Sequence, residues 1–479
     1  MILIGQLDRS HTTPKVYVRS VAANSSDPAS GMASAIGWTA RLLVPALVLV
    51  LAVAAPGITA AGGGSSHADA LASVRSGNAT AVPINTSIVT AISVGSSTVT
   101  PLLDAATGDL FLPWIGPNGY GVISGSTNSV IMVVNTSARL LAMTFDPENG
   151  DIYATALLPD GNGSLLAISG TNPSDFATDF LPGLPWGGLT FDPANGDVYV
   201  ATMDSTVLAF SPSAGNVVST VEVGKLPGTP LFAPANGDLY VGNAGSNNLS
   251  VVSSASNEVV ATIPLGGSPG PDLAWDAATE GVLVPVSGSA VGNLTIISTT
   301  TNRIVATQSI GGAPEAPVLD PINGEVYQAC AFTTDLTVLL ADTDTQVLTL
   351  ALGGSITSPA LDPQSGGLYV PNDAVAGVSI VSGYTNTVVE NLSFGGPGSF
   401  ELQAPPLWDP ENGEVFVPAT VPGTSASPGY LFVIGNSSTS SPPPTYLFPA
   451  AVVGTVVGVG AVAVAALVVH RKAPPAPPA

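Results

Sequence analysis

Phe191-Asp192-Pro193-Ala194-Asn195-Gly196-Asp197-Val198-Tyr199 decides the fold, because the chain repeats it. It returns as FDPENGDIY (145–153), FAPANGDLY (232–240), LDPINGEVY (319–327), LDPQSGGLY (361–369) and WDPENGEVF (408–416). Two degenerate copies, LDAATGDLF (103–111) and WDAATEGVL (275–283), complete the set. Aligned on the second residue, the copies fall at Asp104, Asp146, Asp192, Ala233, Asp276, Asp320, Asp362 and Asp409, at intervals of 42, 46, 41, 43, 44, 42 and 47. A supersecondary unit of that length, rich in short β-branched runs, is the period of a four-stranded propeller blade.

Each unit divides into four strands. Around Asn236 these are an inner strand at 229–232, a second at 238–242, a third at Asn248–Ser253 and an outer one at Glu258–Pro264. The turn chemistry explains the repeat: Asp hydrogen-bonds nearby amides, Pro fixes its own φ, and Asn-Gly accepts positive φ. Third and outer strands are joined by short polar turns such as SASN (254–257) and STTTN (298–302). The last unit has an inner strand near 407–408, a second at 414–418 and a third at 430–435, but no fourth. Thr86–Val94, ahead of the first unit, reads as an orphan outer strand. The expectation is an all-β propeller of eight blades, with seven as the alternative, the N-terminal strand closing the last blade and removing an exposed edge.

The tract Tyr240-Val241-Gly242-Asn243, followed by NLSVVSSASN (248–257) and VVATIPLGG (259–267), resembles the YVTN-type β-propeller repeat; Tyr199-Val-Ala-Thr and Tyr369-Val-Pro-Asn are similar to its tetrapeptide. The resemblance covers residues 83–436. It implies an exported or cell-surface propeller of the kind associated with surface layers, many of them archaeal, and brings no catalytic residues with it.

The chain ends supply an address. A 14-residue apolar run at 42–55 follows Arg41 and has Ala-x-Ala spacing at Ala52 and Ala54, the layout of a secretory signal. Translation from Met32 makes residues 32–61 an ordinary signal peptide and 1–31 a mis-assigned extension; retention as a signal anchor is the other reading. Residues 62–82 form a linker, 83–436 the propeller and 437–445 (SSTSSPPPT) a stalk. The uncharged stretch 446–469 has the length of a transmembrane helix, and His470, Arg471 and Lys472 begin a 470–479 tail expected in the cytoplasm. Gly454 and Gly458 inside it have the spacing that lets two helices approach. The expected localisation is a single-pass cell-membrane protein with the propeller outside.

Composition removes several functions. Ten Lys plus Arg against 33 Asp plus Glu give a net charge of −23, which excludes a basic nucleic-acid surface. Cys330 is the single cysteine, so no intramolecular disulfide forms, and it reads as a buried small hydrophobe in a second strand. His11, His67 and His470 leave the propeller without histidine, hence without His-ligated haem or a Ser-His-Asp triad. Paired acids such as Asp146 with Asp151, Asp192 with Asp197 and Asp320 with Glu325 are oxygen ligands of the type Ca²⁺ takes, but their recurrence in nearly every blade reads as hairpin structure. No cofactor and no metal site is expected.

Trp114 and Trp186 sit in Leu-Pro-Trp segments, either as sugar-stacking platforms or, more often for such residues, as packing between blades. Asn-x-Ser/Thr sequons at Asn78, Asn85, Asn135, Asn162, Asn248, Asn293, Asn391 and Asn436 are glycosylation candidates in an exported chain. The expected function is a membrane-anchored, non-catalytic surface module for binding, adhesion or envelope organisation, with cell-surface proteins or glycans as partners. The alternative is an extracellular metal-dependent lactonase or hydrolase, which needs several acids converging on the central channel. Between the signal and the span, four bases face 31 acids, a net charge of −27, and ordinary carboxylates suit such a domain to an acidic exterior.

Overall fold

A computed structural model describes residues 84, 86–95, 99–114, 118–287, 291–341, 345–396, 398–402, 404–422 and 429–436. The proposed extension, signal, linker, stalk, span and tail therefore lie outside the described residues, as do Asn78 and Asn85. Among the described residues no helix is long and apolar enough to cross a membrane; a short 3-10 turn, Asp373–Val375, interrupts an otherwise all-β chain.

The strands form eight sheets, each built on four antiparallel strands in simple order. Blades 1 to 7 are continuous in sequence, over residues 102–135, 139–180, 185–222, 231–264, 268–310, 314–351 and 360–393. Blade 8 takes its inner three strands from Leu407–Asp409, Glu414–Thr420 and Gly429–Asn436 and its outer one from Thr86–Val94. The closing ladder runs from Thr86 opposite Asn436 to Val94 opposite Gly429. Both degenerate copies head complete blades, so the count is eight and the seven-bladed alternative falls. In blade 5 the inner strand is split into Ser268–Pro269 and Ala274–Asp276 around Pro271, because proline cannot donate to a ladder.

Second and third strands are buried on both faces: Leu239, Tyr240 and Val241 pack beside Leu249, Val251 and Val252, all fully buried. Every pair of neighbouring blades shares an apolar cluster, and blade 8 meets blade 1 through Ile92, Leu110, Leu112, Leu431 and Val433. The ring is thus sealed by packing as well as by hydrogen bonds.

Outer strands show a feature the sequence pattern conceals. Seven of the eight carry a register shift opposite the third strand, leaving one unpaired residue: Val89, Ile131, Val218, Val260, Val305, Val347 or Val389. All seven are exposed at the rim. A β-bulge twists its strand and spoils the edge as a template for another chain, which suits the outermost strand of a blade.

Antiparallel order gives the blades two unlike faces. One, the turn face, carries the inner-to-second and third-to-outer hairpins. The other, the connection face, carries the second-to-third loops and the crossovers to the next blade.

Candidate functional site

The recurring acids are turn-face residues. In all seven Asp copies a carboxylate oxygen accepts the amide two residues on, from Ala106, Glu148, Ala194, Ala278, Ile322, Gln364 or Glu411, at 2.7–2.8 Å. Thr107 and Asn412 supply the other oxygen of Asp104 and Asp409 at 2.8 and 2.6 Å. The carboxylates are buried and hold their own hairpins. Burial raises the carboxyls of Asp146, Asp192, Asp362 and Asp409 above the ordinary range, and that of Asp320 to about 6.

The turn differs from the expectation at asparagine. Only the following glycine takes positive φ, as at Gly196 (φ 76°) and Gly237 (φ 73°); Glu280 occupies that position in blade 5 at φ 52°. The asparagine instead reaches sideways. Asn236 Nδ2 donates to Tyr240 Oη at 3.0 Å and to the Thr299 carbonyl of the next blade at 3.2 Å. Tyr240 Oη then donates to Asn302 Oδ1 at 2.6 Å. The same latch joins blade 3 to 4 (Asn195, Tyr199, Asn257) and blade 6 to 7 (Asn323, Tyr327, Asn386). Each receiving asparagine sits in a third-to-outer turn at φ 52–55°, a conformation that asparagine tolerates better than most residues. Where blade 8 meets blade 1, Phe416 has no hydroxyl and Asn128 donates to Glu414 at 2.9 Å instead.

The repeat acids and asparagines therefore belong to architecture. No group of three His, Cys, Asp or Glu side chains able to hold a metal ion occurs among the described residues. Glu315, in the inner strand of blade 6, has its carboxyl raised by burial and by the charge of Asp272, an acid pair rather than a ligand set. Cys330 is fully buried, and burial pushes its thiol up to about 11, well away from a reactive thiolate.

The sequons divide by face. Asn135 ends an outer strand, Asn162 lies in a second-to-third loop, Asn248 and Asn293 open third strands, and Asn391 lies in the later half of an outer strand. All five belong to the connection-face side; Asn135, Asn162 and Asn391 are exposed, Asn248 and Asn293 half-buried. Asn436 ends its strand on the turn-face side.

The two Leu-Pro-Trp segments behave differently. Trp114 is buried against Gly95 and Gly121, where an added methyl would stand 3.0 and 2.6 Å from the indole. Trp186, for which packing between blades was also expected, is 55% exposed on the connection face. Phe180, Met203 and Leu226 are exposed on that face too. Their clustering was not visible in sequence, since they come from different crossovers and loops of blades 2 to 4.

No family model and no curated protein sequence matches this chain. Solved structures do. BamB from Moraxella catarrhalis aligns with a TM-score of 0.53 at 15% identity, over 74% of this chain and 99% of its own. Dihydro-heme d1 dehydrogenase NirN in complex with DHE gives 0.50 at 12% identity, over 61% of this chain and 65% of its own, so the chain spans just under two thirds of that protein. Hydrazine synthase of Kuenenia stuttgartiensis gives 0.48 at 16%, over 66% and 100%. At such identities the likeness to BamB and NirN is one of fold, and the fold is that of an eight-bladed β-propeller.

Proposed function

We propose that the chain is an exported, membrane-tethered propeller of the YVTN type, serving as a non-catalytic surface module for binding, adhesion or envelope organisation. The observation that carries this reading is the difference between the two faces. The turn face spends its repeated acids and asparagines on its own hairpins and on latching blades together. The connection face leaves aromatic and aliphatic side chains exposed. Both strands that close the ring have their free ends, Thr86 and Asn436, on the turn-face side. The connection face lies at the opposite ends of those two strands.

The test is cell fractionation and protease shaving of cells making the full chain. The reading expects recovery with membranes, digestion of the propeller on intact cells, and release into the medium when the chain is stopped at residue 436. A propeller protected in intact cells would sink it.

A further inference from the structure

The crossover into blade 3 and the loops beside it leave four large apolar side chains exposed on one face. Phe180 (63% exposed), Trp186, Met203 (44%) and Leu226 (42%) share the connection face. Backbone contacts bring together the segments that carry Trp186, Met203 and Leu226, and Phe180 ends the outer strand that leads into the same crossover. The Met203 amide donates to the Leu184 carbonyl at 2.8 Å, and a methyl added to Gly187 would stand 3.0 Å from the Pro227 carbonyl oxygen. Leu226 is in turn fixed to blade 4, its carbonyl accepting from Ala244 at 3.0 Å.

Leu226 is also strained. Its φ of 51° is a left-handed conformation that penalises a residue with a Cβ. Glycine would remove that cost, yet an exposed leucine stands there. Strained backbone presenting a large apolar side chain to solvent points to use of that side chain.

The charge around the patch is acidic. Asp204 lies beside Gly183, 3.1 Å from where a methyl would stand, and Asp179 and Glu222 end outer strands on the same side. Lys225 is the single base in the crossover from blade 3 to blade 4.

We infer that this patch docks a polypeptide segment whose aromatic or aliphatic anchors are flanked by lysine or arginine. The inference deepens the binding-module reading and rests on it. Aliphatic and thioether side chains adapt to apolar partner side chains and offer no hydrogen bonds to a sugar. The acidic surround attracts a basic segment and rejects an acidic one.

The experiment uses the full chain in detergent and three short fluorescent peptides: one with Trp and Leu between Lys and Arg, one with Glu replacing the bases, and one with Ser replacing the apolar residues. The basic apolar peptide is expected to bind at least about tenfold more tightly than the others, and more weakly as salt rises. Trp186→Ser should weaken it about tenfold or more. Leu226→Gly should weaken it while raising Tm, a separation that a merely structural leucine would not give. Phe332→Ser, an 86% exposed aromatic in a loop of blade 6, should change nothing. Equal binding of the three peptides, no binding, or binding indifferent to Trp186→Ser would overturn the inference. So would glycan-array binding that Trp186→Ser abolishes while the peptides stay silent. Metal-dependent lactone hydrolysis by the same preparation would instead overturn the binding-module reading, whatever the peptides did.

Discussion

The phenolic hydroxyl of Tyr240 donates to Oδ1 of Asn302, 2.6 Å away in the next blade. The two residues are 62 positions apart and tie a second strand to the third-to-outer turn of its neighbour. Tyr240→Phe keeps the ring and its packing but strands a largely buried acceptor, so it should cost about 1–2 kcal/mol in reversible unfolding. Asn302→Gly keeps the left-handed backbone and removes the acceptor. In a double-mutant cycle the pair should couple by about 0.5–1.5 kcal/mol, and additive losses would show the bond to be unimportant.

Glycine stands at the end of most first hairpins, but blade 5 places Glu280 there at φ 52°. Glu280→Gly should stabilise the chain by about 1 kcal/mol, because the left-handed conformation penalises any Cβ. Gly196→Ala, at φ 76° in the equivalent turn of blade 3, should destabilise by a similar amount. Thermal unfolding of both variants against the parent measures the pair of opposite shifts.

The closing strand offers a matched comparison. Ile92 is buried opposite Leu431, whereas Val89 is the bulged residue and half exposed. Ile92→Asp buries an unpaired charge and should cost 3 kcal/mol or more, on the order of a disrupted core. Val89→Asp should stay within about 0.5 kcal/mol. Equal effects would mean that the strand does not sit in blade 8.

Acid should stabilise this propeller. Burial raises Asp320 to about 6 and lifts Asp146, Asp192, Asp362 and Asp409 above their ordinary value, so the folded chain holds these protons more tightly than the unfolded one. Their stabilisation is complete below about pH 4 and is lost as pH rises, for Asp320 through about 6. Exposed Asp160, held down by hydrogen bonds from Asn162, acts in the opposite sense. Tm should therefore be higher near pH ~4.5 than near pH ~7.5, and Asp320→Asn should flatten part of that slope. A Tm falling steadily on acidification would contradict the burial argument.

Much of this architecture was legible because each blade announces its first hairpin with the same Asp-Pro-x-Asn-Gly chemistry. Thr86–Val94, Asn248–Ser253 and Glu258–Pro264 appear with the bounds read from sequence. Bulges were not legible, since Val260 is unpaired only relative to the register of Val251 and Val252. The latch was hidden for a related reason. Asn236 looks like a turn former, and its second partner, the Thr299 carbonyl, stands 63 positions away in the next blade. The connection-face patch was the hardest to foresee: Trp114 and Trp186 occupy similar Leu-Pro-Trp segments, and only the packing around each buries one and exposes the other.

Thr86 and Asn436 face each other across the closing ladder although 350 positions separate them. A ribosome adding about 5–20 residues per second needs roughly 20–70 s to cover that distance. For all of that time the N-terminal strand has been made but has no partner, while earlier blades can already stack. Completion of the ring therefore waits on the last strand to be made: a chain truncated anywhere before residue 429 lacks the strand that receives Thr86–Val94, and is left with unpaired strand edges open to pairing with other chains.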